Sequence, residues 1–381
     1  MKLAVLRERR NREHRVAATP DTVKKFLGLG LSVCVEAGAG EGASIPDQQY
    51  REAGAQISTS AAETLRDADI ILKVQRPLLP GEGEDELAAM PKGAVLIGML
   101  APYAGREGLE AYAEAGLTAF SMELVPRITR AQSMDVLSSQ SNLAGYKAVI
   151  DAAATFGRAF PMMMTAAGTI APARVMVLGA GVAGLQAIAT ARRLGAIVSA
   201  TDVRPAAREQ VESLGGKFVM VDSDETAQAE TAGGYAREMS EDYKRRQAEL
   251  VAETLRKQDI AICTALIPGR RAPTLIDDEM VRSMAPGSVI VDLAAEQGGN
   301  CTMTEPGQVV VKQGVTIIGH ENVPSRLPVD ASALYAKNLL NFVSLLIDRE
   351  RQALSIDTED EIIAQTLLTR DGAVVHPRFQ E

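Results

Sequence analysis

The stretch Arg174–Asp202, RVMVLGAGVAGLQAIATARRLGAIVSATD, limits the possible folds more than any other part of the chain. An apolar run, Val175 to Leu178, leads into Gly179, Gly181 and Gly184; an alanine-rich helical pattern follows, then a second apolar run ending at Asp202. Strand, glycine turn, helix and strand in this order are the first half of a dinucleotide-binding α/β unit. In such a unit Gly179 permits the tight turn, Gly181 lets backbone approach a pyrophosphate, and Gly184 lets the helix pack closely on the sheet. The helix begins at Val182 and Ala183, whose end of the helix offers N–H groups to the phosphates. Asp202 lies 18 residues beyond Gly184, where a carboxylate accepts hydrogen bonds from ribose hydroxyls and repels a 2′-phosphate. NAD(H) is therefore favoured over NADP(H). Arg204 leaves two readings open: it holds a 2′-phosphate, or it lies on the adenine or in solvent. Three glycines alone are a weak signal, because any sharp turn from strand to helix can use them; the flanking elements and the acid make the pattern specific.

A chain of 381 residues is long enough for two domains with sizeable cores. The net charge of −9, with scattered basic residues, argues against nucleic acid as a partner. Cys34, Cys263 and Cys301 are far apart and form no CxxC, so neither a disulfide framework nor a zinc site is expected. Cys34 and Cys263 lie in apolar runs and read as reduced core residues. The apolar part of MKLAVLRERR is too short for a signal peptide, which points to a cytoplasmic protein. Between Ala159 and Ala191 the only charge is Arg174, yet Pro161, Pro172 and the three glycines break the stretch, and no transmembrane segment is expected. Within it, Met162, Met163 and Met164 read as adaptable core packing.

Before the glycine turn, the pattern predicts strands at Lys2–Arg7, Leu31–Glu36, Ile70–Val74, Ala94–Leu100 and Leu117–Met122. Helices are expected from Pro20 to Leu29 with Thr19 as N-cap, over Pro46–Ala53, and over Arg106–Glu114. Strands alternating with helices predict a parallel sheet. The polar run Pro126–Asn142 is either a solvated connector or a loop facing a ligand. Its Arg127, Gln132, Asp135 and Ser138 suit a carboxamide and ribose hydroxyls. A helix over Leu143–Phe156 leads into the second domain. There, strands at Lys217–Val221, Asp259–Ala265, Ser288–Ala294 and Val315–His320 bring the count from Val175 to six. Tyr243–Lys257 is helical, and Asp222–Asp242, with Gly233 and Gly234 beside Tyr235, reads as a mobile flap. A helix over Ala331–Ile347 returns the chain to the first domain, and Thr369–Pro377 forms a turn and tail. The fold class is α/β, two Rossmann-like domains with parallel sheets: residues 1–138 plus 327–381, and an NAD(H)-binding domain over 139–326.

Catalytic machinery is sparse. His14 and His376 read as surface residues and His320 as a structural histidine near the nucleotide. HExxH, GxSxG and P-loop patterns are missing, so hydrolysis and phosphoryl transfer have no visible apparatus. Hydride transfer between two nicotinamides needs little acid–base chemistry and mostly alignment.

The segments RVAATPD, KVQRP, RAQSMDVLSSQSNLAGYKAV, PMMMTAAGTIAPARVMVLGAGVAGLQAIATARRLGA, TAGGYAREM, TALIPGRRAP, GSVIVDLAAEQGGN and GHENVPSR resemble the NAD(H)-binding component of proton-translocating, Re/Si-specific nicotinamide nucleotide transhydrogenase over nearly the whole chain. Alanine dehydrogenase is a more distant relative of that family. The resemblance implies an NAD(H) site in a cleft between the two domains. Arg127, Gln132, Asp135 and Ser138 then hold the nicotinamide end toward NADP(H) on a partner component, Tyr235 and Met239 sit on the loop that closes over the nucleotide, and Ala265 contacts it. It further implies a homodimer, a separate membrane-embedded proton-translocating component, and a cytoplasmic chain held peripherally at the inner membrane through its partners. Arg15 and Lys73 match residues that hold the substrate carboxylate in alanine dehydrogenase. The catalytic histidine of that enzyme would fall near Leu100–Pro102, where this chain has none, and its catalytic aspartate at Glu296. The alternatives are thus an amino-acid dehydrogenase and, in another class, a non-catalytic NAD(H)-sensing module.

Overall fold

The computed structural model describes residues 1–221, 240–267 and 269–380. The chain forms two compact units, Met1–Gln140 with Pro324–Glu381, and Ser141–Val323.

The first unit begins with β1 (Lys2–Val5), α1 (Pro20–Gly28), β2 (Ser32–Glu36), α2 (Asp47–Glu52), β3 (Gln56–Ser58), α3 (Ala61–Leu65), β4 (Ile70–Gln75), β5 (Val95–Met99), α4 (Arg106–Glu114) and β6 (Thr118–Ser121). These six strands are parallel. Their side chains alternate between two cores: Leu3 and Val5 pack on one face of the sheet, Ala4 and Leu6 on the other, as period-two geometry requires. α1 starts where Thr19 and Thr22 form a reciprocal cap and Pro20 occupies the first turn.

α5 (Val136–Thr155) is the helix in which the chain passes from the first unit to the second. It begins seven residues before the helix predicted from Leu143. The polar side chains that made this stretch read as a loop are caps and contacts. Asp135 accepts from the Ser138 N–H at 2.9 Å and from its hydroxyl, and Ser139 Oγ meets Asn338 Oδ1 at 2.8 Å.

The second unit contains a hairpin, β7 (Met163–Thr165) and β8 (Gly168–Ile170), then β9 (Arg174–Leu178), α6 (Val182–Arg193), β10 (Ile197–Thr201), α7 (Ala207–Ser213) and β11 (Lys217–Phe218). After these come α8 (Glu241–Leu255), β12 (Ile260–Cys263), α9 (Asp278–Ser283), β13 (Val289–Asp292), β14 (Val309–Lys312) and β15 (Val315–Ile318). The main sheet has the order β11-β10-β9-β12-β13-β15-β14. All neighbours are parallel except the β14–β15 pair. β14 is a seventh strand that the sequence pattern did not predict. The strand order reverses at β9, so the carboxyl end of β9 opens at the point where doubly wound sheets bind ligands. The expectation of core packing for Met162, Met163 and Met164 is corrected: they are 60%, 41% and 78% exposed, because the hairpin that carries Met163 and Met164 pairs only with itself.

The chain re-enters the first unit through α10 (Pro328–Leu345), followed by β16 (Ile347–Asp348), β17 (Ala353–Leu354), α11 (Glu361–Thr366), β18 (Leu367–Arg370) and β19 (Ala373–Val374). The expected turn and tail are instead β18 and β19, which add antiparallel to β6 and complete an eight-stranded sheet. His376 is correspondingly buried rather than on the surface: Nδ1 accepts from the Arg378 N–H, Nε2 lies 3.1 Å from the Gln365 carbonyl, and the ring tilts against Phe379. Cys34, Cys263 and Cys301 are free and buried. Among the described residues no helix is long and apolar enough to cross a membrane.

Candidate functional site

The turn between β9 and α6 is built from glycines for three different reasons. Gly179 has φ +101°, and a Cβ there would stand 2.7 Å from Thr264 Oγ1. A Cβ on Gly184 would stand 1.8 Å from the Gly179 carbonyl oxygen, so only hydrogen fits. Gly181, at the N-cap of α6, faces open space: a Cβ there meets nothing within 4 Å. Helix α6 has no side-chain cap, leaving the first-turn amides at Val182 and Ala183 without a side-chain acceptor. α5 presses on the same turn through Gly145, whose added Cβ would lie 2.0 Å from the Ala183 carbonyl oxygen. An open, uncapped helix start at the carboxyl end of β9 fits a pyrophosphate.

Asp202 follows β10, beside that turn. Its Oδ2 accepts from the Ala180 N–H at 2.7 Å, and its Oδ1 accepts from the Arg204 N–H and Nε, each at 2.9 Å. Arg204 Nη2 also reaches Asp202 Oδ2 at 3.1 Å. Arg204 is thus engaged by Asp202, and in place of the two readings left open by the sequence a pairing with the acid is observed. A ribose diol reaching Asp202 exchanges with guanidinium contacts. Asp202→Asn is expected to weaken NADH binding about tenfold, as loss of a charge-assisted hydrogen bond does, and to leave NADPH binding unchanged or tighter. Titration with both nucleotides checks this, and an unaltered NADH affinity would remove Asp202 from the site.

Thr264, Ala265, Asn300 and Asp292 form the opposite wall, and apart from Ala265 the sequence pattern did not single them out. Thr264 Oγ1 donates to the Gly179 carbonyl at 2.9 Å. Fully buried Asn300 clamps Ala265 from both sides: Oδ1 accepts from its N–H at 3.1 Å and Nδ2 donates to its carbonyl at 2.9 Å. Ala265 therefore offers a fixed wall and not an idle amide. Asp292, also fully buried, accepts from the N–H groups of Ala294, Asn300 and Cys301 and from Thr304 Oγ1. The signal was present: an aspartate closing the apolar strand SVIVD, with a glycine pair and Asn300 following.

In the first unit, Arg127 and Gln132 are exposed on and just before a 3-10 turn, Thr129–Met134, and Asp135 and Ser138 start α5. Arg130 anchors this turn through two bonds to Asp360, at 2.7 and 2.8 Å. Asn338 and Asn341 donate to the Ser133 carbonyl. The four residues expected at the nicotinamide therefore lie on one short, braced segment, with Gln132 presented outward.

Arg15 and Lys73 are buried and ion-paired. Arg15 donates to both oxygens of Glu13 and to Gln140 Oε1 at 2.8 Å. Lys73 Nζ lies 2.7 Å from Glu86 Oε1 and 3.3 Å from Glu8 Oε2. Their charges are balanced inside the protein, as structural positions require. Ala101 occupies the neighbouring turn with φ +51° and no titratable side chain. Tyr235 and Met239, and the flap expected over Asp222–Asp242, fall outside the described residues up to position 239.

A parallel sheet with a switch-point glycine turn, an uncapped helix behind it and an acid on the next strand defines a dinucleotide-binding α/β protein of the Rossmann class. Residues 4–144 match the family described as alanine dehydrogenase/PNT, N-terminal domain, and residues 148–377 match alanine dehydrogenase/PNT, C-terminal domain. The chain belongs to this alanine dehydrogenase/PNT family. It is 60% identical over 377 residues to the first part of NAD(P) transhydrogenase subunit alpha of Rhodospirillum rubrum, covering 99% of this chain and 98% of that protein. The crystal structure of transhydrogenase from Sinorhizobium meliloti superposes with a TM-score of 0.89 at 54% identity, covering 98% of this chain and 100% of that one. An L-alanine dehydrogenase structure is more distant, with a TM-score of 0.83 at 28% identity over 100% of this chain and 98% of that one.

Proposed function

We propose that this chain is the NAD(H)-binding subunit of a proton-translocating NAD(P) transhydrogenase. It presents NADH to NADP⁺ held on a separate component, and a membrane-embedded component couples the transfer to proton movement. The observation that carries the reading is the open Gly179–Gly184 turn beside Asp202, in a chain 60% identical end to end to a transhydrogenase alpha subunit. The bound nucleotide supplies the hydride at its nicotinamide. The chain contributes binding and aim: Gly179, Gly181, Val182, Ala183 and Gly184 receive the pyrophosphate, Asp202 with Arg204 takes the adenosine ribose, and Ala265 walls the site. Arg127, Gln132, Asp135 and Ser138 orient the ring. Tyr235 and Met239 close over it.

No acid or base is needed in this reaction, because the hydride and its electron pair leave one ring carbon and arrive at the other. That accords with Leu100, Ala101 and Pro102 standing where a dehydrogenase of amino acids would place a histidine. The exposed hairpin β7–β8, with Met162, Met163, Met164 and Ile170, favours a homodimer, since such apolar arms are covered by partners. Attachment to the cytoplasmic face of the inner membrane then runs through the other components.

The test mixes the purified chain with an NADP(H)-binding transhydrogenase component and follows reduction of an NAD analogue by NADPH. Turnover only in the mixture is expected. Alanine-dependent NADH formation by the chain alone would establish the amino-acid dehydrogenase instead, and NADH binding without either activity the sensing module.

A further inference from the structure

The first unit holds a second cleft, at the carboxyl ends of β4 and β5, lined in part by Arg76, Leu100, Ala101, Gly105, Arg106 and Gly108. This edge of a parallel sheet is where α/β proteins take ligands. One wall is rigid: the buried carboxylate of Glu123 accepts from the N–H groups of Leu100 at 3.0 Å and Ala101 at 2.7 Å. Facing it is the start of α4, whose N-cap is Gly105 at φ +147° with no side-chain cap. The first-turn amides of this nine-residue helix therefore lack the acceptor that an aspartate or serine would supply.

A second observation points the same way. Tyr112 is completely buried, and its hydroxyl has no hydrogen-bond partner among the described residues, which is rare in folded proteins. Helical side chains lean toward the N-terminus, so the ring runs back along α4 beneath the cleft. Its hydroxyl lies 3.7 Å from where a Cβ on Gly108 would be. Only the missing side chain of Gly108 leaves that route open. Burial holds the phenol well above its ordinary ionisation range, so it is a donor at neutral pH.

The lining charges balance. Arg76 is bound by Glu82, which also meets Arg10, and Arg106 pairs with Glu110. What remains is the positive end of α4 and one orphan donor, enough for a single negative charge; a second would face Glu82 and Glu107. We propose that this cleft binds a small aliphatic monocarboxylate. Its carboxylate caps α4 and takes the Tyr112 hydroxyl, and its alkyl end rests on Leu79, Leu100 and Leu109. The site is separate from the glycine turn and does not rest on the hydride-transfer reading.

The experiment titrates the ¹⁵N-labelled full chain with sodium propionate, inorganic phosphate or sodium chloride at equal ionic strength, following the Gly105, Arg106 and Gly108 amides by NMR. Propionate should saturate these shifts, and chloride should not. Tyr112→Phe should weaken propionate about tenfold. Gly108→Ala adds a methyl in ordinary contact with the hydroxyl and favours the helix, so it should abolish saturation with an unchanged or higher melting temperature. Absence of saturation, or saturation unaffected by both variants, would overturn the site. Phosphate binding as tightly as propionate would overturn the single-charge assignment.

Discussion

Gly184→Ala is expected to lower the melting temperature by about 5–10 °C and to abolish measurable NADH binding. The added carbon would stand 1.8 Å from the Gly179 carbonyl oxygen, and relief requires α6 to move off β9. Overpacking of this kind costs about 1–3 kcal/mol, or more where backbone is struck, and each kcal/mol shifts the midpoint by roughly 2–4 °C in a unit of this size. Movement of α6 also displaces the amides that face the phosphates. Gly181→Ala is the informative partner. Its backbone, at φ −76° and ψ −166°, suits any residue, and a Cβ there meets nothing. The fold should be unaffected while the methyl occupies space reserved for pyrophosphate, weakening NADH at least tenfold. Thermal melts with NADH titrations separate the two; equal effects of both variants on stability would contradict the division of roles among the glycines.

The second large effect is expected at the braced turn of the first unit. Gln132→Asn shortens an outward amide by one methylene, and Asp135→Asn removes a charge while keeping a good N-cap for α5. Both should therefore fold normally. Misaiming a reacting centre by about 1 Å costs on the order of 100-fold in rate, so hydride transfer should fall about that much while NADH affinity stays within a few-fold. Single-turnover transfer measured alongside NADH binding decides it. Unchanged turnover in both variants would withdraw this loop from the transfer step. Asp135→Ala serves as the structural control, expected to cost about 1 kcal/mol through loss of the cap.

The elements around β9 were legible because buried parallel strands are continuous apolar runs and because Gly179 and Gly184 have backbone reasons that no other residue meets. β14 was harder. Its alternating valines, with Val309 and Val311 exposed, lead into Gln313 and Gly314, both left-handed, a hairpin turn less conspicuous than asparagine–glycine. Helix α5 was begun late because Asp135, Ser138 and Ser139 are polar for capping and for contacts with α10, not for solvation. The methionine triple illustrates a different limit: residue type marks a side chain as apolar but does not say which surface covers it. The clamp of Asn300 on Ala265 joins positions 35 residues apart, a pairing that local pattern does not encode. Asp202 was found by spacing, but its occupation by Arg204 required coordinates.

Direct transfer from NADH on this chain to NADP⁺ on another component leaves an isotopic signature. NADH deuterated at the transferring position of the nicotinamide is incubated with NADP⁺, this chain and an NADP(H)-binding transhydrogenase component in ordinary water. The NADPH formed should carry the deuterium, with none lost to solvent and no product when either protein is omitted. Unlabelled NADPH, or labelled NADPH formed without this chain, would contradict direct transfer.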